Sequence, residues 1–151
     1  LPDMIDQQTR SRMMAGIRGK DTRPELAIRK ALHALGFRYR LHARDIPGRP
    51  DMAFPRYRAV IFVHGCFWHG HDCALFRLPG TRTEFWAGKI AGNRTRDAKV
   101  AAELDTARWR HLTIWECAFR GRGGIGLASV IGQTAAWIRS DEGSREIRGE
   151  F

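Results

Sequence analysis

The chain has 151 residues, of which 43% are hydrophobic and 28% charged, a composition that fits one globular domain with a sizeable core. No apolar run is long enough to cross a membrane and no signal peptide opens the chain, so a soluble cytoplasmic protein is expected. Lys and Arg number 26 against 16 Asp and Glu, a formal net charge of +10 carried almost wholly by arginine, which suits a polyanion such as nucleic acid, although a GC-rich genome favours the same residue.

From the N-terminus, DQQTRSRMMAGIRGK (6–20) reads as a short basic helix with Met13, Met14 and Ile17 on one face. DTRPELAIRKALHALG (21–36) reads as a second helix, with Thr22 as N-cap, Pro24 in the first turn, Gly36 at the end and Ile28, Leu32 and Leu35 as its apolar stripe. FRYRL (37–41) alternates as a strand does, and PGRP (47–50) is a turn. DMAF (51–54) and AVIFV (59–63) read as strands joined by PRYR, a connection of hairpin length. The second is apolar on both faces and belongs at the centre of a sheet. Residues 81–107 read as helix interrupted near Gly92, HLTIW (111–115) as a strand, and GLASVIGQTAAWI (126–138) as a last helix. The polar tail 140–151 is expected to fray. The order α-α-β-β-β-α-β-α, without repeats or linkers, predicts a single α/β domain spanning 1–151.

The central strand delivers HGCFWHGHDC, in which His64–Cys73 pack three histidines, two cysteines, Phe67 and Trp68 into ten residues. Cys117 follows the strand 111–115 and brings the cysteines to three, an odd number that argues against a disulfide framework. If the two strands are parallel neighbours, three thiols converge and one histidine completes a tetrahedral zinc shell. Either His69 or His71 lies close enough to be that histidine, and spacing does not choose between them. A closed shell of this kind holds structure rather than activating water.

A second candidate site starts from Asp51, which opens a strand beside Val63 and His64 at the end of the next. Many nucleases place a Mg²⁺-holding Asp at such a strand start, with a second acid and a Lys on the adjacent strand. Here Val63 and His64 stand in those places: Val63 offers only its backbone carbonyl, and His64 can donate to phosphate or orient water. His69 is a candidate general base, since histidine titrates nearest neutral pH. Glu25 adds a carboxylate, though Thr22-Arg-Pro-Glu25 also matches a capping box in which Glu25 serves only the helix end. Phe67, Trp68 and Trp86 fit a core, or a wedge that unstacks base pairs, which costs least at an already weak pair.

The segments TRSRMMAGIRGKDTRPE, PGRPD, VIFVHGCFWHGHDC, TRTEFW, NRTRD and WECAF together resemble the very-short-patch repair (Vsr) family of mismatch endonucleases, over about Thr9 to Phe119. The resemblance implies a restriction-endonuclease-like fold, a mixed central sheet flanked by helices, with a structural zinc on Cys66, His71, Cys73 and Cys117. It implies catalytic Mg²⁺ at Asp51 and the carbonyl of Val63, His69 as general base, and His64 and Glu25 as further active-site residues. Phe67, Trp68 and Trp86 correspond to an intercalating wedge, and Lys89 and Asn93 to positions facing the mismatched pair. Residues 1–20, with Met14, correspond to a basic segment that clamps DNA. Asp97 matches a family motif without an assignable role.

The implied reaction is nicking of double-stranded DNA 5′ to the T of a T·G mismatch, the product of 5-methylcytosine deamination. The implied setting is the bacterial cytoplasm, at the nucleoid, with a functional link to a cytosine-5 methyltransferase, contact with mismatch-repair proteins, and a monomeric enzyme. Two positions depart from the family: Val63 replaces the usual Thr, and Arg108 replaces the usual Gly before Trp109. Two other readings start from the same residues. A double-strand restriction-type endonuclease generally needs a two-fold dimer. A non-catalytic zinc-stabilised DNA-binding module leaves Asp51, His64, His69 and Glu25 unexplained.

Overall fold

The structure, a computed structural model, describes residues 22–150, so the basic helix expected over 6–20, including Met14, lies outside the described residues. Helix α1 (Arg23–Ala34) begins as the sequence suggests, with the Thr22 hydroxyl accepting the Glu25 N–H at 3.4 Å. It ends at Gly36 (φ 97°), where the Phe37 N–H reaches the Leu32 carbonyl and the Gly36 N–H that of His33. That is the paired hydrogen bonding of a Schellman cap.

Five strands form one sheet in sequence order: β1 (Arg40–Leu41), β2 (Met52–Phe54), β3 (Ala59–His64), β4 (Arg110–Trp115) and β5 (Arg145–Ile147). The first three pair antiparallel, and β3, β4 and β5 run parallel. Helices α2 (Thr83–Thr106) and α3 (Leu127–Arg139) complete the described strands and α-helices. Alternation along the strands sorts side chains to two faces. Met52, Phe54, Ala59, Ile61, Leu112 and Ile114 pack against Ile28 and Leu32 of α1 and Val130, Ala135 and Ile138 of α3. Ala53 and Val60 face the other way, against Leu104 of α2. The result is a mixed sheet between helical layers, with β3 at its centre, as its apolar sequence implied.

Several local expectations are corrected. Only Arg40–Leu41 of FRYRL joins the sheet. PRYR, by contrast, is the hairpin connection expected: it joins antiparallel β2 and β3 through one 3-10 turn (Pro55–Tyr57) closed by Arg58 at φ 50°. Helix α2 runs unbroken through Gly92, because an exposed glycine costs about 1 kcal/mol, too little to interrupt 24 residues. The tail, over its described residues, is built into the fold. Arg145, Glu146 and Ile147 pair with Leu112, Thr113 and Ile114, and Ile147 is buried. Its polar composition misled because an edge strand is held by backbone hydrogen bonds and needs only one inward side chain.

Candidate active site

The parallel register sets His64 opposite Trp115, so Cys66 and Cys117, each two residues further on, leave the same end of the sheet. The loop after β3 returns Cys73 and His71 to them, and the donor atoms of all four residues lie within 4.8 Å of one another, a set that could hold a metal ion. His71 Nδ1 is 3.5 Å from Cys66 Sγ and 3.6 Å from Cys117 Sγ, so His71 and not His69 stands among the thiols. Burial pushes the Cys66 and Cys117 thiols up and the His71 imidazolium down. Without a cation this corner favours neutral groups; a thiophilic dication would reverse that preference, so the donor set fits zinc chemistry.

Chain outside the loop secures this corner. The Gly149 N–H donates to Cys117 Sγ at 3.3 Å, and a Cβ on Gly149 would collide with the Cys117 carbonyl oxygen. Arg148 Nη1 meets Asp72 Oδ1 at 2.7 Å. The Trp115 ring stacks on His71 at 3.9 Å while its indole N–H donates to Glu146 at 2.8 Å. The Cys66 N–H donates to Glu116 Oε1 at 3.2 Å.

The same loop carries His69 away from the thiols. Gly70 (φ 60°) makes the turn between His69 and His71, and a Cβ there would come within 2.6 Å of Ile90 on α2. His69 Nδ1 lies 2.6 Å from Asp97 Oδ2 on α2. A carboxylate accepts in such a contact, so Nδ1 is the donor and Nε2 is the ring nitrogen not engaged by Asp97. The His69 ring stacks on His64 at 3.7 Å, 2° from parallel. Burial, and then the neighbouring His69, hold the His64 pKa down to about 3, and its Nδ1 is buried without a hydrogen bond. The resting pair therefore contains a neutral His64.

Across the cleft, Asp51 Oδ2 accepts the Val63 N–H at 2.6 Å, tying the start of β2 to the end of β3. Glu25 makes the backbone half of a capping box, yet its carboxylate is turned inward, 2% exposed, toward Asp51 and His42. His42 Nε2 is 3.7 Å from Glu25 Oε2 and His42 Nδ1 is 3.8 Å from Asp51 Oδ1. Burial, then the hydrogen bond to Glu25, push the Asp51 carboxyl up to about 8. Two carboxylates in one dry corner call for a proton or a cation between them.

One cleft of about 1020 Å³ joins these parts, lined by Glu25, Asp51, Val63, His64, His69, Lys89 and Asn93 together with Phe67, Trp68 and Trp86. The three aromatic rings touch one another edge to face at 5.2–5.7 Å. The Asn93 amide donates to the Trp68 carbonyl at 2.8 Å, so it also holds the loop. Every described residue expected at the catalytic and DNA-binding sites thus meets in one cleft, with the thiol corner behind it. Sequence reasoning missed His42, the role of Asp97, and the buttress formed by Trp115 and Glu146. Only Asp97 carried a signal, its place in NRTRD.

Comparison with known proteins gives the family. Residues 2–75 match the family model described as DNA mismatch endonuclease Vsr. The DNA mismatch endonuclease Vsr of Escherichia coli (strain K12) is 41% identical over 147 residues, 97% of this chain and 94% of that protein. The chain belongs to the Vsr family of DNA mismatch endonucleases. The type II nicking enzyme V.XorIIP of Xanthomonas oryzae pv. oryzae (strain KACC10331 / KXO85) is 44% identical over 125 residues, 83% of this chain and 92% of that enzyme. The type II nicking enzyme V.NmeAIP of Neisseria meningitidis serogroup A is 38% identical over 122 residues, 81% of this chain and 87% of that enzyme. No helix among the described residues is long and apolar enough to cross a membrane.

Proposed function

We propose that this Vsr-family endonuclease nicks one strand of double-stranded DNA 5′ to the T of a T·G mismatch left by deaminated 5-methylcytosine. The observation that carries the reading is the single cleft lined by Asp51, His69 and the aromatic trio Phe67, Trp68 and Trp86, with Asp97 in contact with His69 Nδ1. A wedge beside a hydrolytic centre suits a lesion that is already poorly stacked, since pushing rings into a weak pair costs least.

Asp51 and the Val63 carbonyl would hold Mg²⁺, with Glu25 beside them; Val in place of Thr keeps the carbonyl. When bound, that ion supplies charge neutralisation at the scissile phosphate. His69 Nε2 takes the proton of the attacking water while Asp97 holds the ring in the required tautomer. Neutral His64, flat against His69, donates toward the phosphate without placing a second positive charge in the stack. Lys89 and Asn93 face the mispaired bases. Zinc on Cys66, His71, Cys73 and Cys117 would be structural, because four protein ligands close its shell. It would fix the loop that carries the base and the wedge. The fold is read as restriction-endonuclease-like, and the enzyme as a monomer working in the cytoplasm alongside a cytosine-5 methyltransferase and mismatch-repair proteins.

The test is cleavage of end-labelled duplexes with Mg²⁺, comparing T·G mismatches with matched controls in several cytosine-methylation contexts. One nick beside the T, absent from the matched duplex, is expected. Cutting of both strands of matched DNA would favour the restriction-type reading, and binding without cutting the DNA-binding module.

A further inference from the structure

The acidic corner contains a nitrogen donor that the functional reading above does not use. Glu25 comes from α1, His42 from the turn after β1 and Asp51 from the start of β2, and one ligand atom from each lies within 4.8 Å of the others. The imidazole stands 3.7 Å from one carboxylate and 3.8 Å from the other. The two contacts use different ring nitrogens, Nε2 toward Glu25 and Nδ1 toward Asp51, and an ion takes only one of them; a single nitrogen lies within 4.8 Å of an oxygen of each carboxylate, so the three donors need to draw together by about 1 Å to share an ion at about 2.1 Å. The side chain of Glu25 is only 3% exposed and those of His42 and Asp51 about a fifth exposed; the two carboxylates line the cleft and His42 stands beside them.

Donor type decides which ion such a site favours. Mg²⁺ takes oxygen ligands and near-ideal octahedral geometry. Imidazole adds more to the binding of first-row transition ions. A site of two carboxylates and one imidazole therefore differs in kind from a site of carboxylate and carbonyl oxygens alone.

We propose that His42 is a third protein donor at the catalytic metal site and shifts that site toward a divalent first-row transition ion relative to Mg²⁺. The inference rests on Asp51 being a metal ligand, as proposed above. His42 enters the left-handed region (φ 47°), which histidine and asparagine tolerate better than most residues, so the backbone there accepts either side chain.

The test uses purified protein with its thiol site loaded, titrated without DNA with Co²⁺ and separately with Mg²⁺, read by calorimetry. The Co²⁺ d–d absorption, distinct from thiolate-to-cobalt charge transfer, reports the ligand set directly. His42→Gln is expected to weaken Co²⁺ about tenfold or more and move the d–d band, while Mg²⁺ affinity changes less than about threefold. His42→Asn, chosen for its tolerance of the left-handed backbone, is expected to behave the same way. An equal loss for both ions would overturn the proposal by making His42 a support for the carboxylates, and unchanged Co²⁺ binding would overturn it outright. Asp51→Asn separates the two readings. If it leaves both ions bound as in the wild type, the proposed Asp51 metal site itself fails. If it abolishes binding while His42→Gln does nothing, only the role of His42 fails.

Discussion

Two corners, one behind the cleft and one on it, crowd groups that resist ionising together, and they differ in how they are enclosed. At the ends of β3 and β4, Cys66 and Cys117 are fully buried and β5 with the segment after it closes the corner behind them. At the start of β2, Asp51 stands against Glu25 and His42 but keeps 21% of its side chain exposed to the cleft. A closed shell of four donors has no position left for a substrate, whereas a corner open on one side does. On the proposed reading the thiol corner would hold a loop still and the acidic corner would meet DNA.

Breaking the thiol corner is expected to have the largest effect. Cys117→Ala removes a candidate metal donor and the acceptor of the Gly149 N–H, so it should release both the loop and the tail. Metal content should fall, stability should drop by about 3 kcal/mol or more, and nicking should be lost. Metal analysis and thermal unfolding check this; unchanged melting would mean that the corner is not structural. His69→Ala tests the opposite property, chemistry without scaffolding. Nicking should fall about 10²–10⁴-fold with metal content unchanged. Asp97→Asn should lose less, because the ring remains but its tautomer is no longer held. Loss of zinc from His69→Ala would show that the assignment of His69 and His71 is reversed.

The acidic corner makes a claim with a sign. Asp51 titrates near 4 when unfolded and near 8 when folded, so between those values the folded state holds a proton that the unfolded chain lacks. Its contribution is fully present below about pH 4 and is lost as pH rises through about 8. Asp51→Asn should therefore abolish nicking yet stabilise the metal-free protein by about 1–2 kcal/mol, or about 2–8 °C. The gap between variant and wild type should widen from pH 5 to pH 8.5, measured with metal removed. A gap that narrows with pH would mean that Asp51 is held ionised in the resting site.

These corners also show what a sequence displays. Cys66, His71 and Cys73 sit together in the chain, and a parallel pair of strands was enough to bring Cys117 to them. Asp51 and Glu25 were each candidate carboxylates, but a turn acid and a capping residue read the same way, because their meeting depends on how α1 crosses the end of the sheet. His42 lies in RLHARD, where no motif or periodicity marks it. The tail was misread for a related reason: Gly149 and Glu146 act through a backbone N–H and one carboxylate, which composition does not reveal. Local propensity read α1 and β3 well because burial reinforced it there, and misjudged Gly92 because the rest of a long helix outweighed one residue.

The smallest expected effect lies outside both corners and serves as their control. Helix α2 ends as α1 does, with the Trp109 N–H reaching the Leu104 carbonyl and the Arg108 N–H that of Asp105. In α1 the left-handed position is Gly36, but in α2 it is Arg108, exposed at φ 62°. A side chain in that conformation costs about 1–2 kcal/mol, partly offset by the extra unfolded-state freedom that glycine would bring, about 0.5–1 kcal/mol. Arg108→Gly should thus raise stability by about 0.5–1 kcal/mol, or about 1–4 °C, with no loss of nicking. If crowding at the two corners is retained because it serves the reaction, relieving strain at Arg108 should cost nothing, while relieving it at Asp51 costs the activity. Loss of nicking in Arg108→Gly would instead give the turn before β4 a part in placing DNA.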